Sequence, residues 1–207
     1  MGQLDKILGL TQDEPLKPFA SEIGGTYITG HYGDSDSVEV SYEKWQIIFD
    51  VYTLRTVVSG TEYRTLYTRI KAPFKTQDNL RFELYRSGLL SSISKLFGAQ
   101  DIVVGDSDFD KAFIIKGTDE YKISTLFSTA KVKEVIQAQK DLSLGITNNE
   151  GFWGKELPEG VNELYFNVEG VIKDVEHLKS LSILFCELLV QLSKVGSAKP
   201  IENSLPA

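Results

Sequence analysis

The sequence predicts an α+β fold, an antiparallel β-sheet packed with helices and closed by a long C-terminal helix. Three observations carry this. Residues 26–86 are rich in β-branched and aromatic side chains broken by short turns. Residues 102–173 alternate short strand-like runs with helical spacing, and residues 174–195 repeat apolar side chains at steps of three and four. At 207 residues the chain can bury a core without metal or disulfide staples. The expected organisation is one globular unit over 1–195, with a β-rich part at 26–86 and a helix-flanked part at 87–195, followed by a disordered tail at 196–207.

The N-terminal LDKILGL reads as a short helix followed by a connector interrupted by Pro15 and Pro18. Strands follow at 26–29 (TYIT), 37–42 (SVEVSY) and 45–58 (WQIIFDVYTLRTVV), and Val38, Val40 and Tyr42 alternate with polar partners. Ser59-Gly60 is a candidate two-residue hairpin turn. Such a loop pairs Val58 with Thr61, and hence Asp50 with Arg69, Phe49 with Ile70, Tyr52 with Tyr67 and Arg55 with Arg64. A third strand, LRFELYR at 80–86, follows the turn KTQDN.

Beyond it, LLSSISKLF at 89–97 has helical spacing, DIVV and AFIIKG read as strands, and two helices span 119–139. LSLGITNNEGFWGKEL reads as a hairpin about Asn149 to Gly151, and NELYFNVEGVIK as a strand. Asp174 caps the last helix, whose Leu178, Leu181, Phe185, Leu188, Leu192 and Val195 are joined by Ile183, Leu184, Leu189 and Val190 until almost no side is polar. Such a helix is covered on more than one face, either as a central core helix or through a homodimer contact along 174–195.

Composition excludes several classes. The net charge of -7 argues against nucleic-acid binding by the protein as a whole. The charge is uneven, with three basic and nine acidic residues in 1–50 against eight basic and three acidic in 51–100, and all five arginines lie between Arg55 and Arg86. The lone Cys186 excludes an intramolecular disulfide and suits a reducing, cytoplasmic setting. The N-terminus has neither the pattern of a secretory signal nor, with Lys6 where Ser or Thr is needed, that of a myristoylation site. The longest apolar stretch, Leu181 to Leu192, is interrupted by Glu187 and Gln191 and is too short to span a bilayer.

Candidate chemistry is sparse. Asp106, Asp108 and Asp110 carry the first half of a calcium loop, but position six is Lys111 instead of Gly and position twelve is Gly117 instead of Glu. The expectation is an acidic loop whose side chains satisfy backbone amides while Phe109 and Phe113 enter the core; a metal site on the three carboxylates is the alternative. GDSDS at 33–37 is read as a turn. His31 and His177 have no second ligand at zinc spacing, no nucleophile elbow or phosphate loop occurs, and no cofactor is implied. Phe152 and Trp153 beside a turn are read as the edge of a core.

The basic hairpin is the most informative feature. Arg55 opposed to Arg64 creates a repulsion that an anion, an acidic side chain or a partner surface would relieve. With Tyr52, Tyr63, Tyr67, Arg69 and Lys71 it makes a candidate face for a protein or anionic partner, set against a solvated sheet face neutralised by pairs such as Asp50 and Arg69.

The stretch from Ile93 through the final helix, with its Phe-Asp-x-x-Phe segment (Phe109, Asp110, Phe113), a Gly-x-Asp turn (Gly117, Asp119), a helix pair, a hairpin and a long closing helix, resembles the bacterial family called domain of unknown function 3137. The resemblance implies that Phe109 and Phe113 serve the fold. Similar proteins often carry membrane-spanning helices ahead of this domain, and this sequence shows no such stretch. The family has no assigned activity, so no catalytic residue is carried over. The functional expectation is a non-enzymatic interaction or scaffolding module. The alternative is a divalent-metal-dependent enzyme acting on an anionic, phosphorylated substrate through Asp106, Asp108 and Asp110.

Overall fold

The structure, a computed structural model, describes residues 15–30, 35–87, 100–148 and 157–201. The expected helices at LDKILGL and 89–97, the turn at 149–151, Phe152, Trp153 and His31 lie outside them. In chain order the elements are α1 (Leu16–Ile23), β1 (Thr26–Ile28), β2 (Ser37–Tyr42), β3 (Trp45–Val58), β4 (Thr61–Thr76), β5 (Phe82–Arg86), β6 (Gln100–Ile102), α2 (Ser107–Ala112), β7 (Phe113–Gly117), α3 (Glu120–Leu126), α4 (Ala130–Gln137), β8 (Ser143–Thr147), β9 (Val161–Glu169), α5 (Val175–Lys194) and β10 (Ala198–Lys199). This is the α+β architecture the sequence predicts.

All ten strands of the described residues join one antiparallel sheet in the order β1-β2-β3-β4-β9-β8-β5-β7-β6, with β10 beside β4. Strand alternation gives the sheet one apolar face. Val38, Phe49, Ile70, Phe166, Leu144, Leu84 and Ile115 follow one another across it through matched registers, and all are buried. The helices contribute their buried side chains to the same core. Phe19 of α1 meets Phe49 at 4.7 Å between ring centroids, and Phe127 after α3 meets Phe82 at 5.4 Å, both edge to face.

Three expectations are corrected. The segment around Pro15 and Pro18 is helical, because prolines in a first helical turn remove only amides that lack an intrahelical acceptor. The third strand forms as expected, at Phe82–Arg86, and its place in the sheet, which the sequence left open, is between β8 and β7 while β9 takes the free edge of β4. The aspartate stretch is a helix, α2, and not a loop. The tail begins ordered. Gly196, at φ 75°, ends α5 with its N–H on the Ser193 carbonyl while the Ser197 N–H reaches the Leu192 carbonyl, a left-handed termination that needs glycine. The chain then turns back so that Ala198 and Lys199 pair with Thr76 and Lys75, past the point where β3 leaves β4.

Helix α5 is the central core helix. Leu178, Leu181, Leu184, Phe185, Leu188, Leu189 and Leu192 are buried, and the helix packs against α1, α3, α4, β3 and β10. Among its large apolar side chains only Ile183, at 45%, is exposed. Among the described residues no helix is long and apolar enough to cross a membrane.

Candidate functional site

The β3–β4 hairpin has the predicted register throughout, from Ile48 opposite Lys71 to Val58 opposite Thr61. Its two-residue turn places Ser59 at φ 49° and Gly60 at φ 82°, the left-handed pair of a tight hairpin whose twist matches its strands. The unbroken register then separates the predicted partner-binding residues. Arg55 and Arg64 continue the line of Phe49, Val51 and Ile70 on the side of the apolar face. Tyr52, Tyr63, Tyr67, Arg69 and Lys71 lie on the opposite side. The seven residues are therefore not one face, a consequence of period-two alternation that was available from the sequence register.

Position along the ribbon divides them again. At its base, Arg69 Nε and Nη2 donate to Asp50 Oδ1 and Oδ2 at 2.7 and 2.6 Å, Lys71 Nζ stands 3.6 Å from Asp50, and Tyr52 lies against the guanidinium at 4.5 Å. Arg69 and Asp50 are buried, and this forked pair belongs to the fold. Tyr67 is partly buried, and burial followed by the charge of Glu169 raises its phenol above the ordinary value. The chain after β9 fastens this level: Gly170 N–H donates to the Leu66 carbonyl at 2.7 Å, and Thr68 Oγ1 donates to the Gly170 carbonyl at 2.9 Å.

Beyond the base no described strand pairs with the outer edges of the ribbon. Strand β2 stops pairing with β3 at Asp50, and β9 stops pairing with β4 at Thr68. Residues 55–58 and 61–64 are all exposed, including Val57 at 68%, Val58 at 53% and Tyr63 at 55%. Arg64 Nε donates to Glu62 at 2.6 Å, an exposed contact on its own strand, while the Arg55 side chain makes no hydrogen bond or ion pair among the described residues, its charge acting on Glu62 from a distance. Thus Arg55, Arg64 and Tyr63 form an accessible tip, with Val57 and Val58 as unpredicted apolar members.

The three aspartates are not drawn together around a common point. Asp106 caps α2, accepting from the Asp108 and Phe109 amides, and Lys133 Nζ lies 2.6 Å from its other oxygen. The Lys133 hydrogen bond, before the backbone ones, holds the Asp106 carboxyl below its usual range. Asp110 accepts from the amides of Val104, Gly105 and Asp106, and Asp108 is exposed. Among the described residues no three His, Cys, Asp or Glu side chains are grouped to hold a metal ion. Phe109 and Phe113 are buried with ring centroids 4.9 Å apart.

A second polar cluster escaped the sequence reading. Glu83, 4% exposed, faces Tyr165 Oη at 3.4 Å on the sheet's polar side, and burial pushes its carboxyl up to about 7 against the smaller opposing effects of Tyr165 and Lys116. Ser143 Oγ lies 3.5 Å from the same phenol, which burial and the Glu83 charge raise. The single acidic residue within FELYR was its only sequence signal.

No family model and no curated protein matches the sequence. Among solved structures the chain is similar to the mycobacterial trehalose monomycolate transport factor A, TtfA, with a TM-score of 0.52 and 9% identity over 93% of this chain and 98% of that one. At that identity the likeness is one of fold.

Proposed function

We propose that the protein is a non-enzymatic interaction or scaffolding module that engages its partner through the free end of the β3–β4 ribbon. One observation carries this reading: a two-stranded tip with both sides exposed displays Val57, Val58 and Tyr63 beside Arg55 and Arg64. Isolated two-stranded ribbons are marginal in water, and a partner surface would cover these apolar side chains and relieve the opposed arginines. A homodimer through α5 has less support, because its apolar side chains are mostly buried within the chain. The resemblance to domain of unknown function 3137 belongs to the same proposal, supported by the packing of Phe109 on Phe113. So does a cytoplasmic setting, supported by the lone cysteine.

The test places a photo-crosslinking residue at Val57 and measures the captured partner's affinity for wild type and for the Arg55→Glu, Arg64→Glu double variant. At least about tenfold weaker binding is expected, about 1.4 kcal/mol. Unchanged binding of every captured partner would overturn the reading.

A further inference from the structure

The ribbon tip has two edges, and they are not equivalent. In a hairpin closed by a two-residue loop, the residues flanking the loop exchange backbone hydrogen bonds and every second pair repeats the exchange. Val58, Thr56 and Leu54 therefore turn their amides and carbonyls toward Thr61, Tyr63 and Thr65, while Val57, Arg55 and Thr53 turn theirs away from β4. On the β4 side the matching edge is closed at its base, where Gly170 donates to Leu66, and its Arg64 is already paired with Glu62. On the β3 side no described strand pairs beyond Asp50.

We infer that this β3 edge, Thr53 to Val57, accepts an extended acidic segment of a partner protein as an added antiparallel strand. The inference deepens the proposed function and rests on the ribbon being the docking element. An added strand would continue the line of β2, antiparallel to β3 as β2 is. The chain already uses the same arrangement at the other end of β4, where β10 is laid down in line with β3. Apart from the charge of Arg55, the edge lacks the usual protection, having no proline and an unbroken register along its exposed part.

Charge selects the occupant. Arg55 lies opposite Arg64, and among the described residues Glu62 is the one carboxylate paired with them, which leaves a net positive charge there on that side of the tip. An acidic side chain opposite Arg55 neutralises it. A second copy of β3 centred on this edge would instead oppose Arg55 to Arg55, so the edge disfavours self-pairing. The other side of the tip presents Leu54, Val58 and Tyr63, against which an apolar residue at alternate positions would pack. The recognised segment thus alternates acidic and apolar residues.

The probe is a capped seven-residue peptide alternating Glu and Val, with a Lys and Val peptide as control, titrated into isotopically labelled full-length chain. Saturable binding of the acidic peptide alone is expected, with amide exchange at Thr53, Arg55 and Val57 slowed at least about tenfold and the inward amides unaffected. Val57→Pro removes one outward donor without touching the β4 ladder and should abolish that binding, as should Arg55→Glu. Unaltered exchange at the outward amides in wild type, or absence of saturable binding, would overturn strand addition. Loss of binding in Arg55→Glu with full binding in Val57→Pro would do the same while leaving the ribbon as a docking element. Unchanged binding of crosslinked partners by the double arginine variant removes that element itself.

Discussion

Replacing Asp50 by alanine removes the forked carboxylate from Arg69 and leaves Lys71 beside it. Both members of the Asp50–Arg69 pair have side chains only 9% exposed, so water cannot replace the lost carboxylate at the guanidinium. Removing one partner of a buried pair costs about 3–5 kcal/mol, far above the ~0–1 kcal/mol of an exposed one. For a chain of 207 residues, an unfolding entropy of about 2 cal/mol/K per residue converts this into a fall of roughly 7–12 °C in Tm. Urea unfolding of wild type and Asp50→Ala at pH 7, in 0.15 and 1 M NaCl, measures it directly. The double variant Asp50→Leu, Arg69→Met should recover more than half of the loss, since it buries no orphaned charge. A loss below about 1 kcal/mol, or one erased by high salt, would show a solvated pair and refute the placement of these residues in the fold.

Three other outcomes are expected. Glu83 has a folded pKa of about 7, raised from 4.5 by burial. Its contribution to stability should therefore be fully present below the unfolded value, be lost by roughly 3 kcal/mol as pH rises from about 4.5 to 7, and level off above. Glu83→Gln should flatten that window in urea titrations across pH, and an unchanged slope would refute the assignment. Gly117→Ala brings a Cβ against Ile123 Cδ1 and within 2.9 Å of the Arg81 carbonyl, so a loss of about 1–3 kcal/mol is expected in the urea midpoint. Burial, before any neighbouring charge, pushes the half-buried Cys186 thiol up to about 11, so native protein at pH 8 should react with a thiol-specific disulfide reagent at least about a hundredfold more slowly than urea-unfolded protein.

Local chemistry in the sequence specified what lies close along the chain. Ser59-Gly60 set the whole β3–β4 register, and Asp174 and the leucine spacing set α5. Non-local pairing was not legible. Nothing in LRFELYR says that β8 and β7 flank it, because a strand's partners depend on complementary surfaces elsewhere in the chain. The candidate site was legible in its residue types and misread in its geometry: side alternation separates Arg55 from Tyr52, and burial removes Arg69 from any accessible surface. The capping roles of Asp106 and Asp110 follow from backbone amides that acquire their positions only once α2 forms.

The insertion of β9 between β4 and β8 also governs the order of events in folding. The hairpins β2–β3 and β3–β4 close over two-residue loops and can form within microseconds of the chain's release. The far edge of β4, from Thr68 to Lys75, cannot be satisfied until Val161 to Val168 have been synthesised, at about 5–20 residues per second. On that timescale several seconds separate the synthesis of β4 from that of the strand that covers its edge, where Ile70, Ala72 and Phe74 lie on one side. Threading a late strand into the middle of an early sheet thus makes the pairing of β4 with β9 a long-range step, the kind that general folding physics makes slow and exposed to misassociation.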